Sequence, residues 1–254
     1  MQILHPIPFS AALTVLLAAA LAPSAPVVAE NPAAAAQELE GALHLEPDIE
    51  NGKTVYRLCA VCHLPEGWGN ASGDYPQIAG QHASVTIKQL ADIRARNRDN
   101  PTMFPFTLVD HLTLQQIADV SAYIESFPMA PENGVGPGID LEHGAKLYAH
   151  YCVDCHGDQG EGIAEEQMPL IQGQHYEYLV RQFEWIRDGK RRNADKEMVE
   201  QIKVFKARDI SAVMDYTSRL KPPPERLAAP GYRNPDFPRF WRPAAPAPSG
   251  TANN

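Results

Sequence analysis

Apolar residues recur along the chain at helical spacing, and the pattern appears twice. Val85, Leu90 and Ile93 lie on one helical face, and Ile117, Val120 and Ile124 form a second stripe that predicts a helix over Leu114 to Phe127, with Thr113 as its N-cap. A shorter helix is predicted ahead of them, from Gly52 to Ala60. Moved forward by 93 positions, the pattern returns and predicts helices over Ala145 to Val153, Tyr178 to Arg187 and Asp209 to Leu220. The same shift lays Pro76, Gly80, Gln81 and His82 on Pro169, Gly173, Gln174 and His175. It also lays Gln89 on Gln182, Arg94 on Arg187 and Ile117, Val120 and Tyr123 on Ile210, Val213 and Tyr216. No stretch alternates apolar and polar residues as a half-buried strand does, so the expected class is all-α, built from two tandem copies at 45–127 and 139–220.

Helix breakers set the boundaries. Residues 128–138 hold two interior prolines and three glycines after Pro128 and read as a linker short enough to keep the two copies in contact. From 221 to 254 prolines recur too often for helix or central strand, and the aromatic side chains of Tyr232, Phe237, Phe240 and Trp241 are expected to lie along the protein's own surface. At the other end, the apolar run Phe9 to Leu21, then Pro23, Pro26 and the small-residue end at Ala29, reads as a secretory signal peptide over residues 1–29. The run is shorter than the ~20 residues of a membrane span, so no integral span is expected in the mature chain. Acidic residues outnumber basic ones by 31 to 22, for a net charge of −9, which disfavours nucleic acid and anionic lipid as partners.

The chemistry lies in the cysteines. All four belong to two pentapeptides, Cys59-Ala60-Val61-Cys62-His63 and Cys152-Val153-Asp154-Cys155-His156. Two thiols about one helical turn apart reach the two vinyl groups of a porphyrin, and the histidine that follows presents an imidazole to the iron. Both therefore read as c-type haem attachment sites, implying two covalently bound haem c and export from the cytoplasm to the periplasm. Zinc pairs stand about 12–20 residues apart, far closer than these two motifs, and a redox dithiol belongs in a βαβ setting.

His63 and His156 are the proximal candidates, and the second axial ligand separates a carrier from a catalyst. A methionine thioether closes the iron and raises its potential. Met198 is the candidate in the second copy, ahead of Met168, beside Pro169, and Met214, inside the last helix. In the first copy Met103 is the candidate, offset by two residues because the internal shift carries Met198 onto Pro105; His111 is its rival and His82 a more distant one. Pro76 and Pro169 each follow their histidine by 13 residues, which suits their carbonyls to fix the imidazoles. Arg94 and Arg187 are candidates for haem carboxylates, with a solvated helix face as the alternative, and Trp68 is a candidate for the first haem edge.

On these residues the chain resembles the two-domain dihaem cytochromes of the cytochrome c4 type. The resemblance rests on the duplicated motif and on Pro-x-x-x-Gly-Gln at Pro76 to Gln81 and Pro169 to Gln174, and it covers about residues 45–220. It implies two class I cytochrome c folds packed as a pseudo-two-fold pair, with His/Met ligation through His63 and Met103 and through His156 and Met198. It also implies a non-enzymatic carrier of single electrons whose partners are redox proteins: a terminal oxidase, a cytochrome complex or a dehydrogenase. The alternatives are a dihaem subunit of an exported dehydrogenase, such as a flavin-containing sulfide oxidiser, and a dihaem enzyme with one labile ligand. The chain departs from the family pattern at Met103, at Leu64 where glycine usually follows the haem histidine, and in the proline-rich tail.

Overall fold

The computed structural model describes residues 31–238. The signal segment with Ala29, and Phe240 and Trp241 of the tail, lie outside the described residues. The described chain is helical: α1 Pro32–Leu43, α2 Ile49–His63, α3 Ala83–Arg94, α4 Leu114–Glu125, α5 Leu141–Tyr151, α6 Val153–His156, α7 Tyr176–Arg187, α8 Lys196–Ile202 and α9 Ala207–Ser218. Extended pairing among the described residues is limited to isolated bridges, Met129 with Leu227 and Ile163 with Met168. None of the described helices is long and apolar enough to cross a membrane.

Thr113 caps α4 as expected, its hydroxyl accepting from the Gln116 N–H while the Gln116 side chain accepts from the Thr113 N–H at 2.9 Å. Helix α2 is longer than Gly52 to Ala60 because Asp48 caps it early, accepting from the Glu50 and Asn51 N–H groups. Helices α1 and α8 are additions to the expected set.

In each copy the helix entering the motif crosses the last helix, α2 on α4 and α5 on α9. Gly52 and Gly144 make the crossings close: a Cβ there would stand 2.4 Å from the Asp119 carbonyl oxygen and 2.1 Å from that of Ala212. These glycines are 92 positions apart, as are Tyr56 and Tyr148, whose hydroxyls donate to the carbonyls of Leu64 and Gly157 at 2.8 Å. The second copy therefore carries one extra residue before its first motif cysteine, and the chain absorbs it by breaking the helix at Cys152, between α5 and α6. The constant shift of 93 holds only from the motif onward.

Beyond the motif the shift is visible as symmetry in space. Gln81 bonds both backbone groups of Leu170, and its counterpart Gln174 bonds both backbone groups of Gln77, the counterpart of Leu170. His82 bonds the Glu161 carbonyl at 2.8 Å, and its counterpart His175 bonds the Trp68 carbonyl at 2.7 Å. The segment after Leu220 returns to the first copy: Met129 and Ala228 N–H groups donate to the carbonyls of Arg226 and Met129, and the Arg226 guanidinium donates to the Gly80 carbonyl. Phe237 joins Tyr56, Tyr123 and Phe127 in the first copy's core.

Candidate functional site

Each motif ends a helix with its histidine buried. His63 is 6 % exposed and its Nδ1 lies 3.1 Å from the Pro76 carbonyl; His156 is 8 % exposed and its Nδ1 lies 3.0 Å from the Pro169 carbonyl. A carbonyl can only accept, so Nδ1 carries the proton and Nε2 keeps a free lone pair, the tautomer a metal-binding imidazole requires. Burial lowers both histidines below the usual imidazole value, which keeps them neutral. Burial also pushes the Cys59 and Cys152 thiols up to about 12. All four cysteines are free of disulfides, and no group of three or more His, Cys, Asp or Glu residues gathers to hold a bare ion among the described residues.

A continuous cavity of about 1390 Å³ joins the two motifs. Cys59, Cys62, His63 and Met103 line it in the first copy; Cys152, Cys155, His156 and Met198 line it in the second. Met198 sits in the first turn of α8, where Asp195 caps the helix and accepts from the Met198 N–H at 3.2 Å. Met103 precedes a short 3-10 turn over Phe104–Thr107; its N–H donates to the Asn100 side chain, and the Arg96 guanidinium lies 3.4 Å from the Phe104 ring centre. The two methionines thus lie on different local structures. His111 also lines the cavity but is exposed, whereas His82 is committed to the contact between the copies. Met214 is 6 % exposed and packs in the second copy's core.

Arg94 and Trp68 depart from their haem-side expectations, and Arg187 follows the alternative of a solvated helix face. Arg94 serves α1, donating to Glu38 and to the carbonyls of Thr107 and Leu112, and Arg187 pairs with the exposed Asp188. Trp68 turns from the cavity, donating to the Pro128 carbonyl at 3.0 Å and standing beside Tyr232. Among the cations that line the cavity, Arg98 and Arg191 are again 93 positions apart and detectable by the same shift. Arg98 donates to Gln89 at 2.8 Å and to Gln182 at 3.2 Å, and Arg191 donates to Gln182 at 3.0 Å and to Gln89 at 3.1 Å. Burial, and then the neighbouring Arg98, pull Arg191 down to about 9. Two guanidiniums sharing neutral amide oxygens in the wall between the pockets suit the carboxylates of a porphyrin. The donor set fits as well: in each pocket, two thiols, a neutral imidazole with Nε2 free, and a thioether.

Two helical copies, each placing a paired-thiol anchor and a tautomer-fixed histidine in one half of a shared cavity, define a two-domain c-type cytochrome. The family model described as "Cytochrome c" matches residues 49–128, and that described as "Cytochrome C oxidase, cbb3-type, subunit III" matches 140–216. Cytochrome c4 of Pseudomonas aeruginosa is 31% identical over 191 residues, which span 72% of this chain and 93% of that protein. A thiosulfate dehydrogenase electron acceptor of Stutzerimonas stutzeri is 31% identical over 198 residues, 70% of this chain and 90% of that protein. The crystal structure of reduced recombinant cytochrome c4 from Pseudomonas stutzeri matches with a TM-score of 0.62 at 26% identity, over 69% of this chain and all of that one. The chain belongs to the cytochrome c4 family: it carries two covalently bound haem c and transfers electrons rather than catalysing a reaction of its own.

Proposed function

We propose that His63 and Met103 close the two faces of the first iron and His156 and Met198 those of the second, in domains bounded at 45–127 and 139–220 and joined by the linker 128–138. The observation that carries this is the presence, in each half of the cavity, of a methionine together with an imidazole whose Nδ1 is already bonded. When bound, each haem supplies a one-electron iron couple. The chain's own part is to hold the imidazole neutral and oriented through a proline carbonyl, to present a thioether that favours the reduced state, and to exclude water and substrate from the metal.

The molecule then accepts and donates single electrons in the periplasm once residues 1–29 are removed, between redox proteins such as an exported dehydrogenase, a cytochrome complex and a terminal oxidase. The dehydrogenase as donor is favoured by the relative described as an electron acceptor of thiosulfate dehydrogenase. Met103→Ala and Met198→Ala, made separately, are each expected to abolish the sulfur-to-iron absorption band of one haem and open that haem to carbon monoxide. A Met103→Ala spectrum identical to wild type, with the change appearing in His111→Ala, transfers the ligand to His111. Ready carbon monoxide binding by the reduced wild-type protein at neutral pH overturns the carrier reading.

A further inference from the structure

The residue after each haem-motif histidine stands at positive φ: Leu64 at φ 68, ψ 160, and Gly157 at φ 78, ψ 166. Only glycine occupies this region without strain. Both carbonyls are held alike, by Tyr56 and Tyr148 hydroxyls at 2.8 Å, so that bond does not explain why leucine is tolerated in the first copy alone.

Two differences between the copies do. A Cβ added at Gly157 would lie 2.3 Å from the Glu161 carboxyl carbon, whereas the counterpart of Glu161 is Trp68, whose ring is turned toward Pro128 and Tyr232. Among the described residues, the C-terminal segment also lies on the first turn and not on the second. Asn234 Nδ2 donates to the Pro65 carbonyl at 2.7 Å, and its N–H donates to the Glu66 carboxylate at 3.0 Å. Asn234 and Glu66 are 3 % and 4 % exposed. Next to them, Asp236 accepts from the Tyr123 hydroxyl at 2.7 Å, and the Phe237 ring stands edge-on to Tyr56, the residue that holds the Leu64 carbonyl. The departures at Leu64, at Trp68 and in the tail meet at one place.

We propose that Asn234–Phe237 is a clamp that holds the strained His63–Leu64–Pro65–Glu66 turn and so fixes the orientation of His63 toward the first haem, with no counterpart at His156. The inference rests on the reading of His63 as proximal ligand. Asn234 is a positioning residue: it acts on the imidazole through the turn. Loosening the turn lets water reach the first pocket, which favours the ferric state.

The test is a redox titration of the full haem-loaded chain with spectra that resolve each haem, on Asn234→Ala, Leu64→Gly and the double variant. Asn234→Ala is expected to lower the midpoint of the first haem and weaken its sulfur-to-iron band, leaving the second haem unchanged. Glycine at position 64 removes the strain, so Leu64→Gly/Asn234→Ala is expected to recover the wild-type midpoint. Phe237→Leu, a milder change, is expected to move the first haem in the same direction by less, and it serves if Asn234→Ala fails to fold. The clamp is overturned if Asn234→Ala moves both haems or neither, or if its shift persists undiminished in the double variant. His63→Ala separates the two readings: if both haems stay low-spin, the ligand assignment falls and takes the clamp with it; if the first haem alone changes, the ligand stands and the clamp is judged on Asn234.

Discussion

Gln174→Ala and Gln81→Ala remove the same bonds by the molecule's internal symmetry, yet they should differ about twofold in cost. The Gln174 side chain accepts from the Gln77 N–H at 3.0 Å and donates to the Gln77 carbonyl at 2.8 Å; Gln81 does the same to Leu170, at 3.0 and 2.8 Å. The surroundings separate them. Gln77 is 4 % exposed and Gln174 7 %, and the Gln77 side chain is itself fixed to the Gly173 carbonyl and the Ala130 N–H, so its backbone cannot turn to find new partners. Each buried group left without a partner costs about 1–3 kcal/mol, which puts Gln174→Ala at roughly 4 kcal/mol. Gln81 is itself half-buried, so water enters the space it leaves beside Leu170, which is 5 % exposed; the Leu170 N–H and carbonyl then regain partners and the cost falls to the ordinary net value of about 1 kcal/mol for each of the two. In a protein of this size 1 kcal/mol moves the melting temperature by about 2–4 °C, so the expected drops are roughly 8–16 °C and about half that. Thermal unfolding of the haem-loaded protein in one oxidation state, followed by circular dichroism, measures both. Equal drops, or a larger one for Gln81→Ala, would refute the argument from burial.

The symmetry-related histidines at the domain contact should respond to pH in opposite senses. The Glu125 carboxylate, 3.7 Å from Nδ1, holds His82 above the usual imidazole value, so its contribution is complete below about pH 6.5 and is lost as pH rises through the raised value. Burial holds His175 below that value, with Nδ1 accepting from the Gly134 N–H and Nε2 donating to the Trp68 carbonyl, so its contribution is complete above about pH 6.5 and is lost as pH falls through the lowered value. His82→Gln should therefore cost most in acid and His175→Gln most at neutral pH and above; denaturation midpoints that vary in parallel with pH would contradict both assignments. Arg191→Gln removes a half-buried cation from the wall between the pockets and should lower the haem midpoints, since the ferric charge is then less opposed; unchanged potentials in a redox titration would place Arg191 outside the haem field.

Much of the fold was legible because its signals are local. The stripes that predict α3 and α4 and the Thr113–Gln116 capping pair need only a few consecutive residues, and the observed helices follow them closely. Helix α1 also carries a local signature, Asn31 as cap with Pro32 at the first helical position, but it falls between the signal segment and the first copy, outside the repeat that guided the other helices. Helix α8 has seven residues and too little periodicity to register, so Met198 was expected outside a helix. The extra residue before Cys152 was masked because a constant shift aligns the motifs whether or not the helix before them is in register. At the site, the motif cysteines and histidines were readable from spacing alone. Which arginines face the pocket was not, because Arg94 and Arg98 belong to one short stretch and their directions depend on α1 and on the second copy.

Among the described residues, two segments outside the duplicated core, α1 and the chain around Asn234, fall on the first copy. Helix α1 packs against α3 and α4 and supplies Glu38 to Arg94, and the C-terminal segment covers the turn after His63. The second copy has glycine after its histidine and Met198 on a capped helix, and among the described residues no such bonds reach its turn. The first copy is also the one whose methionine comes from a proline-flanked loop and whose post-histidine residue is strained. A proline-flanked loop and a strained non-glycine turn keep their conformation only where the surrounding packing holds them. For the first copy that packing comes from outside the domain, through Glu38 of α1 on Arg94 and Asn234 on Pro65 and Glu66.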